Sequence, residues 1–405
     1  MQHYHYIFTG TGLSTLMTVR EMIRSGKFKN QSILLLDQDA KKTNDRTWCL
    51  WEEKASFPDL IHQKWPKALF KNEVLEKEMD LSPYSYFMLK GLDFYNDTFE
   101  LISKEANITF LQQKVVDFEE LGAHCLVKTE TQSFTCNRII NSIFNPEILI
   151  NQSKFPLLQQ HFIGWFIKSK EAVFTDNCAT FMDFSLAQKG NTRFMYVLPF
   201  SPNEALIEYT LFSKDLLKKD EYENAIKEYI EQLGISEYEI IEKEQGNIPM
   251  TCYPFWKNNS KNVINIGSAG GWTKASTGFT FKNTIKKSKL LVSFLSNEKD
   301  FRQFHQKDRF WFYDLLLLDI LDKHNEKGGA IFSSLFQKGK ASLIFKFLDE
   351  ETSFWEDLQV IWKCPKRLIY QSVVAKNGRS ALGIRALFEL SRFFIGKRVR
   401  KARPR

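Results

Sequence analysis

The sequence has no stretch of about 18 apolar residues free of charge, which is what a membrane-spanning helix requires. A protein built this way works at a membrane only by lying on it. The apolar run Asp314-Leu315-Leu316-Leu317-Leu318-Asp319 is bounded by acids and reads as a buried helix. No Cys-x-x-Cys pair is present: Cys49, Cys125, Cys136, Cys178, Cys252 and Cys364 stand apart. Neither a zinc site nor a dithiol redox motif is therefore expected, and no metal. The opening residues MQHYHYIF contain no basic segment followed by a long apolar core, so a secretory signal is not expected. Six free thiols then point to a reducing, cytoplasmic compartment. No internal repeat is visible.

What is present describes a globular chain. Its 405 residues are 43% hydrophobic and 26% charged, enough for one large domain or two to three ordinary ones. Phenylalanine is abundant, with 36 Phe against 13 Tyr and 9 Trp. Phe supplies apolar area without a polar handle. The surplus serves either an aromatic core or a pocket for a large apolar ligand. The net charge is +8, and six basic residues with no acid fall between Gly396 and Arg405. Much of the excess charge thus sits in one tail.

The first unit reads strand, glycine turn, helix, strand, acid. His3 to Thr9 is apolar and aromatic, Gly10-Thr11-Gly12 follows, and Leu13, Leu16, Met17 and Ile23 fit one helix face. Gly26 marks the helix end. Ser32 to Leu36 is a continuous apolar run, as in a buried parallel strand, and ends at Asp37. Two glycines permit a tight turn and close backbone approach to a pyrophosphate, which rests on the helix N-terminus. Asp37 stands where a carboxylate accepts from ribose hydroxyls. Gly10, Gly12, Leu13 and Asp37 are therefore expected to hold a dinucleotide. Thr15 replaces the third glycine of the fingerprint, which should loosen helix–sheet packing slightly.

Four further clusters carry chemistry. Asn44 to Glu52 packs Arg46, Trp48 and Trp51 into what reads as a loop, and Arg46 suits a phosphate or flavin edge. Glu208 lies among apolar residues in Leu206-Ile207-Glu208-Tyr209-Thr210. Asp183 has the same look in Phe181-Met182-Asp183-Phe184. A carboxyl group in an apolar pocket has its pKa raised and becomes a general acid near neutral pH. The two acids either face one cavity or point to solvent from alternating strands. Gly267-Ser268-Ala269-Gly270-Gly271 follows a buried strand at Asn262 to Gly267, and its N–H groups are suited to a phosphate or ring. Last, Leu382, Ala386, Leu387, Leu390, Phe393 and Phe394 form an apolar helical face beside Arg379, Arg385 and Arg392. Such a basic helix with a polybasic tail fits an anionic membrane surface. No nucleic-acid module is seen, and no nucleic-acid partner is expected.

The middle of the chain is strand-like. Asn107 to Glu119, Cys125 to Thr129 and Phe134 to Asn141 suggest a small meander. Phe162 to Ile167, Ala179 to Phe184, Thr192 to Leu198 and Ala205 to Phe212 form a second series. Asp220 to Leu233 is a charged helix, and the chain from about Phe281 onward is mostly helical. The fold class expected is α/β: a Rossmann-type FAD/NAD(P)-binding domain, an inserted antiparallel-sheet substrate domain, and a helical C-terminal region. Residues 1–150 and 246–285 would form the discontinuous cofactor domain. Residues 151–245 would form the substrate domain, and 286–405 the helical region with its basic tail.

Several of these segments together resemble the bacterial lycopene β-cyclase family. They are Gly10-Thr11-Gly12-Leu13-Ser14, Asp45-Arg46-Thr47-Trp48-Cys49-Leu50-Trp51, Tyr196-Val197-Leu198-Pro199-Phe200, Glu208-x-Thr210 and Gly246-Asn247-Ile248-Pro249-Met250-Thr251. The Gly267–Gly271 cluster with Thr277-Gly278-Phe279, and Phe347-Leu348-Asp349-Glu350-Glu351-Thr352, complete the set. The resemblance implies a fold like the flavoprotein hydroxylases, with FAD used in reduced form and NAD(P)H as reductant. It implies protonation of the terminal double bond of lycopene or a related ψ-ended carotene, ring closure through a carbocation, and proton loss to a β-ring. There is no net redox change, and γ-carotene precedes β-carotene. It makes Glu208 the favoured acid, with Tyr209 in place of the family's second Glu. Ser268 stands where many related flavoproteins carry Asp. The implied location is cytoplasmic, peripheral to the inner face of the cell membrane. Two other readings remain at this stage: an FAD-dependent monooxygenase of the aromatic-hydroxylase type, and a non-catalytic membrane-surface flavoprotein.

Overall fold

The computed structural model describes residues 1–297, 300–305 and 307–376. The basic helix expected at 382–394 and the tail after it lie outside the described residues.

The chain opens with β1 (His3–Thr9), α1 (Leu13–Ser25) and β2 (Ile33–Asp37). It continues with β3 (Thr47–Glu52), β4 (Gln63–Trp65), β5 (Lys67–Asn72), β6 (Leu75–Asp80), β7 (Ser85–Lys90) and α2 (Gly91–Ser103). Next come β8 (Ile108–Gln112), β9 (Val115–Leu121), β10 (His124–Thr129), β11 (Ser133–Asn141) and the single turn α3 (Glu147–Ile150). The longest strands follow: β12 (Leu158–Ser169), β13 (Cys178–Asp183), β14 (Thr192–Ser201) and β15 (Glu204–Ser213), then α4 (Lys219–Gln232) and β16 (Tyr238–Met250). After β17 (Val263–Asn265) the described chain is helical: α5 (Phe281–Leu295), α6 (Arg309–Lys323), α7 (Gly328–Lys338), α8 (Ala341–Leu348), α9 (Phe354–Ile361) and α10 (Lys366–Lys376). None of these helices is long and apolar enough to cross a membrane.

The first sheet has the order β8-β2-β1-β11-β10-β9, with β17 also paired to β11. Strands β8, β2, β1, β11 and β17 run parallel. Strand β2 shows why its run is wholly apolar. Ile33 and Leu35 pack towards α1 and α5, while Leu34 and Leu36 pack on the opposite face. Helix α1 ends as its sequence requires: Gly26 takes a left-handed φ of +67° and its N–H donates to Ile23 O. The expected single strand Asn107–Glu119 is instead two. The chain breaks near Gln113, so β8 extends the parallel array beside β2 and β9 joins β10 at the far edge.

The second sheet has the order β16-β12-β15-β14-β13-β5-β6 and is antiparallel except for the β13–β5 pair. Its two outermost strands on one side, residues 67–80, come from the N-terminal part of the chain. Alternation along β15 sets its two faces. Ala205, Ile207, Tyr209 and Leu211 pack against α4, while Leu206 and Phe212 face the helices of the C-terminal region. The tryptophan block is a strand, not a loop. It is β3, hydrogen-bonded to β7 in a small third sheet with β4. Leu50 enters the core under α1 and Trp51 enters the core under the second sheet, so this strand ties the two layers together.

A buried ion cluster fixes the C-terminal helices to the rest. The Lys274 ammonium lies 3.1 Å from Asp314 on α6 and 2.9 Å from Glu350, and Ser276 Oγ donates to Asp314 at 2.7 Å. Lys274→Met leaves two carboxylates without their cation. It should lower unfolding free energy by about 3–5 kcal/mol, read from denaturant midpoints. An unchanged midpoint would show that the cluster does not hold these helices in place.

Candidate functional site

The carboxyl ends of the parallel strands open on a cavity of about 720 Å³ that continues under the inner face of the second sheet. A ligand crevice at that end of an open α/β sheet is what the topology favours. At its mouth stands the turn after β1. Gly10 has φ of +86°, and a Cβ there would fall 2.5 Å from Ser142 Oγ, so only glycine fits without strain. Gly12 caps α1 without a side-chain bond, and a Cβ there would meet nothing within 4 Å. The free N–H groups of the first turn, the open space over Gly12, and Leu13 and Ser14 beside it form a cradle suited to an anion. Asp37 lines the same mouth. One of its oxygens accepts from Thr11 N at 2.6 Å and Thr11 Oγ1 at 2.9 Å, so Asp37 also braces the turn. Thr15 does not loosen the packing: it is fully buried and its hydroxyl donates to Ser142 Oγ at 3.2 Å.

Arg46 lines the cavity from the start of β3, with its side chain exposed. Of the second glycine cluster, only Gly267 and Ser268 line it. Gly267 abuts α1, where a Cβ would lie 2.4 Å from Ser14 Oγ. Gly270 and Gly271 were expected at the cofactor but have packing roles. A Cβ on Gly270 would strike Asn265 O at 2.1 Å, and one on Gly271 would press on Phe255.

Deeper in, Phe162, Phe181, Phe194, Phe212, Phe279 and Phe336 wall the cavity. Part of the phenylalanine surplus is therefore pocket lining. Trp51 braces this wall from behind. It stacks on Phe345, and its Nε1 donates to Asp349 at 2.9 Å. Asp349 also pairs with Lys282 on α5. The tryptophan block and the Phe347–Thr352 segment, far apart in sequence, thus meet.

Glu208 projects from β15 into this cavity and is buried. Thr210, two residues on and on the same face, donates its hydroxyl to Glu208 Oε1. Burial, followed by the negative charge of Glu244, raises the Glu208 pKa well above the ordinary carboxylate range. Burial thus biases the Glu208 carboxyl towards its protonated form. Asp183 does not join it. Asp183 pairs in register with Met195, which packs towards α4, and its carboxylate accepts from Tyr229 OH of α4 at 2.9 Å and from Ser185 N at 2.8 Å. The cause is an irregularity in β13 between Thr180 and Asp183, which leaves Phe181 and Met182 lining the cavity and turns Asp183 to the other face.

The acid beside Glu208 is Glu244 on β16, which also lines the cavity and accepts from Thr47 Oγ1 at 2.9 Å. Burial raises its pKa too, while Thr47 and Arg46 act the other way. Three more groups surround the pair. The hydroxyls of Tyr86 and Tyr196 hydrogen-bond each other, and Cys49 lies against them with its thiol pushed by burial up to about 12. Simple alternation along β16 hides Glu244. Tyr238 and Ile240 pack towards α4, and strict alternation would send Glu244 there as well. The register with β12 slips at Ile241, and the following residues change face. Among the described residues no His, Cys, Asp and Glu group is arranged to hold a metal.

A model of the family described as lycopene cyclase protein matches residues 6–373. A lycopene beta-cyclase of Paracoccus sp. (strain N81106 / MBIC 01143) is 31% identical over 104 residues, which cover 24% of this chain and 27% of that protein. The chain thus spans about a quarter of the length of this curated relative. Among solved structures, a flavoprotein/dehydrogenase from Cytophaga hutchinsonii is similar with a TM-score of 0.61 at 12% identity, over 94% of this chain and 100% of that one. CtdE in complex with FAD is similar with a TM-score of 0.53 at 10% identity, over 87% and 100%. At such identities the likeness is one of fold alone.

Proposed function

The chain belongs to the lycopene cyclase protein family, and from that premise we propose that it closes the linear ends of lycopene, or of related ψ-ended carotenes, into β-rings with FAD bound. The observation that carries this reading is Glu208: a buried carboxyl group on the wall of a phenylalanine-lined cavity whose mouth is a dinucleotide-type turn. The residues at the mouth fit FAD. Its pyrophosphate would rest on the N–H groups of the first turn of α1, over Gly12. Its ribose would lie by Asp37, and Arg46, Gly267 and Ser268 would flank the rest. Bound in reduced form, with NAD(P)H as the reductant, FAD supplies electron-rich polarisation beside a developing cation.

The chain's own residues account for the remaining chemistry. The Glu208 carboxyl group gives its proton to the terminal double bond of the carotene. The inner double bond then attacks the cation, a six-membered ring closes, and loss of a proton leaves the β-ring. No electron is gained or lost. Carbocations are quenched by water, so the phenylalanine walls act first by excluding it. Their ring faces also stabilise positive charge. Repetition at the second end takes γ-carotene to β-carotene. Because the substrate dissolves in membrane, the six basic residues between Gly396 and Arg405 are assigned to docking on the anionic inner leaflet.

Expression in a lycopene-accumulating bacterial host, with pigment analysis, tests the reading. Cyclised carotene should replace lycopene without stoichiometric oxygen uptake. Unchanged lycopene beside abundant, flavin-loaded protein would overturn it. Oxygen consumed with each turnover would point instead to a monooxygenase.

A further inference from the structure

We propose that Glu244 and Glu208 act as one catalytic pair, sharing a single proton across Gly164, delivering it to the substrate and recovering it. The inference rests on the cyclisation reading above and adds a residue to it. The geometry begins with three neighbouring strands. Gly164 on β12 is in register with Glu208 on β15 on one side and with Glu244 on β16 on the other. The two carboxylates therefore flank one backbone position from either side. That position has no side chain. A Cβ on Gly164 would lie 3.2 Å from Glu244 Cγ and 3.4 Å from Glu208 Cβ, and 2.8 Å from Leu206 Cδ1. Glycine thus leaves the gap through which the two acids meet. Each acid has its own anchor, Thr210 for Glu208 and Thr47 for Glu244. Both anchors are hydroxyl donors, and each engages one oxygen of its carboxyl group, leaving the other free of it.

Charge favours one proton between them. Two buried like charges at this separation cannot both ionise cheaply, and the pair then titrates as a unit. Burial raises the pKa of both, and the negative charge of Glu244 raises that of Glu208 further. The other titratable or charged groups facing the pair are Arg46 and Cys49 from the β3 segment, Tyr86 from β7, Tyr196 from β14 and Glu242 from β16. Arg46 is the one cation among them, and it favours the ionised form of Glu244. The shared proton is therefore favoured on Glu208, with the negative charge on Glu244 nearer Arg46.

This state suits a reaction that needs an acid and then a base. A C–H bond forms at the less substituted carbon of the terminal alkene, whose π bond breaks to leave a tertiary cation at the dimethyl carbon, as Glu208 releases its proton. The inner alkene's π bond breaks to form the C–C bond that closes the ring, and a C–H bond breaks at the ring carbon that carries the polyene chain, its electrons forming the ring double bond. The carbon that gains a proton and the carbon that loses one are bonded to the same third carbon, so one small site serves both. After donation the pair carries two adjacent negative charges, which makes it a strong base at that moment. The proton lost from the ring returns to the pair, and the enzyme is ready for the second end with no proton drawn from solvent.

The test uses the full-length, flavin-loaded protein and lycopene in detergent or vesicles. The wild-type rate should be flat through neutral pH and fall on the alkaline side as the shared proton is lost. In Glu244→Gln the like charge is gone, so Glu208 ionises more easily. The alkaline limb should move down by about one pH unit or more. The rate at optimum should fall roughly 100-fold with KM unchanged. Glu244→Asp should restore part of both. Gly164→Ala inserts a methyl between the acids and should shift the limb the same way, which covers the case of a poorly folding Glu244 variant. Infrared titration of the protonated carboxyl band, in the absence of substrate, should show the same displacement. A Glu244→Gln enzyme with the wild-type rate, pH profile and infrared titration overturns the pair and leaves the cyclase reading intact. If the wild-type protein does not cyclise lycopene, the function fails, and the infrared displacement alone decides whether the two acids share a proton.

Discussion

Glu208→Gln should reduce cyclisation by about 10²–10⁴-fold, the range expected when a positioned general acid is removed, while flavin content stays at the wild-type level. The change is nearly isosteric, and the amide oxygen still accepts from Thr210. The cavity keeps its shape and only the transferable proton is lost. Stability should move the other way. The Glu208 pKa is raised on folding. Its contribution to stability is thus fully present at low pH and is lost as pH rises through the folded-state value. Glutamine does not ionise, so the variant should melt no lower than wild type at neutral pH, and its advantage should grow on the alkaline side. Asp183→Asn provides the contrast. Asp183 lies on the α4 face of the sheet, outside the cavity, and accepts from Tyr229 and Ser185. Its loss should cost about 1 kcal/mol of stability and leave the chemistry near the wild-type rate. Pigment assays and thermal melts across pH read both variants. An active Glu208→Gln enzyme would remove Glu208 as the acid.

Gly12→Val should abolish flavin retention on purification, with affinity at least about tenfold weaker, or about 1.4 kcal/mol. Gly12 has φ of −73°, which any residue can adopt, and empty space lies where a side chain would go. The variant should therefore fold, losing at most about 1 kcal/mol as a poor helix cap. Its isopropyl group would occupy the cradle over α1 and keep a pyrophosphate from the N–H groups. Gly10→Ala is different, because its φ is +86° and the added methyl meets Ser142. That change should lower the melting temperature as well. The ratio of flavin to protein absorbance, and the melting temperature of each apo-protein, separate the two effects. Wild-type flavin content in Gly12→Val would mean that the ligand does not approach the turn.

The glycine turn was easier to read from sequence than the surroundings of Glu208. The turn at Gly10 and Gly12, the doubly buried β2 and Asp37 at its end depend on contiguous residues, and local pattern conveys them directly. Glu208 stood out as an acid among apolar residues, but so did Asp183, and only the family resemblance favoured the first. What failed was the counting of faces. Alternation holds only while the register holds, and one slip reverses every later side chain. The slip in β13 sent Asp183 out of the cavity, and the slip at Ile241 in β16 brought Glu244 in. Nothing in the residue types at either place signals the extra residue. The glycines at 270 and 271 misled for another reason. Glycine permits both close ligand approach and a tight turn, and only the neighbouring Asn265 and Phe255 distinguish the two. Residues 67–80 were given no place from sequence, and their strand β5 finds its partner β13 far along the chain.

That distant partnership bears on how the protein is made. Strand β5 pairs in parallel with β13, whose residues follow it by about 110 positions. A ribosome adding about 5–20 residues each second takes roughly 5–20 s to deliver that partner. Throughout that interval the nascent β5–β6 hairpin exposes Ala68, Phe70 and Met79, which are buried in the finished core. Chaperone demand during synthesis should therefore fall on this hairpin, and halting translation between residues 80 and 178 should yield chains that aggregate through it.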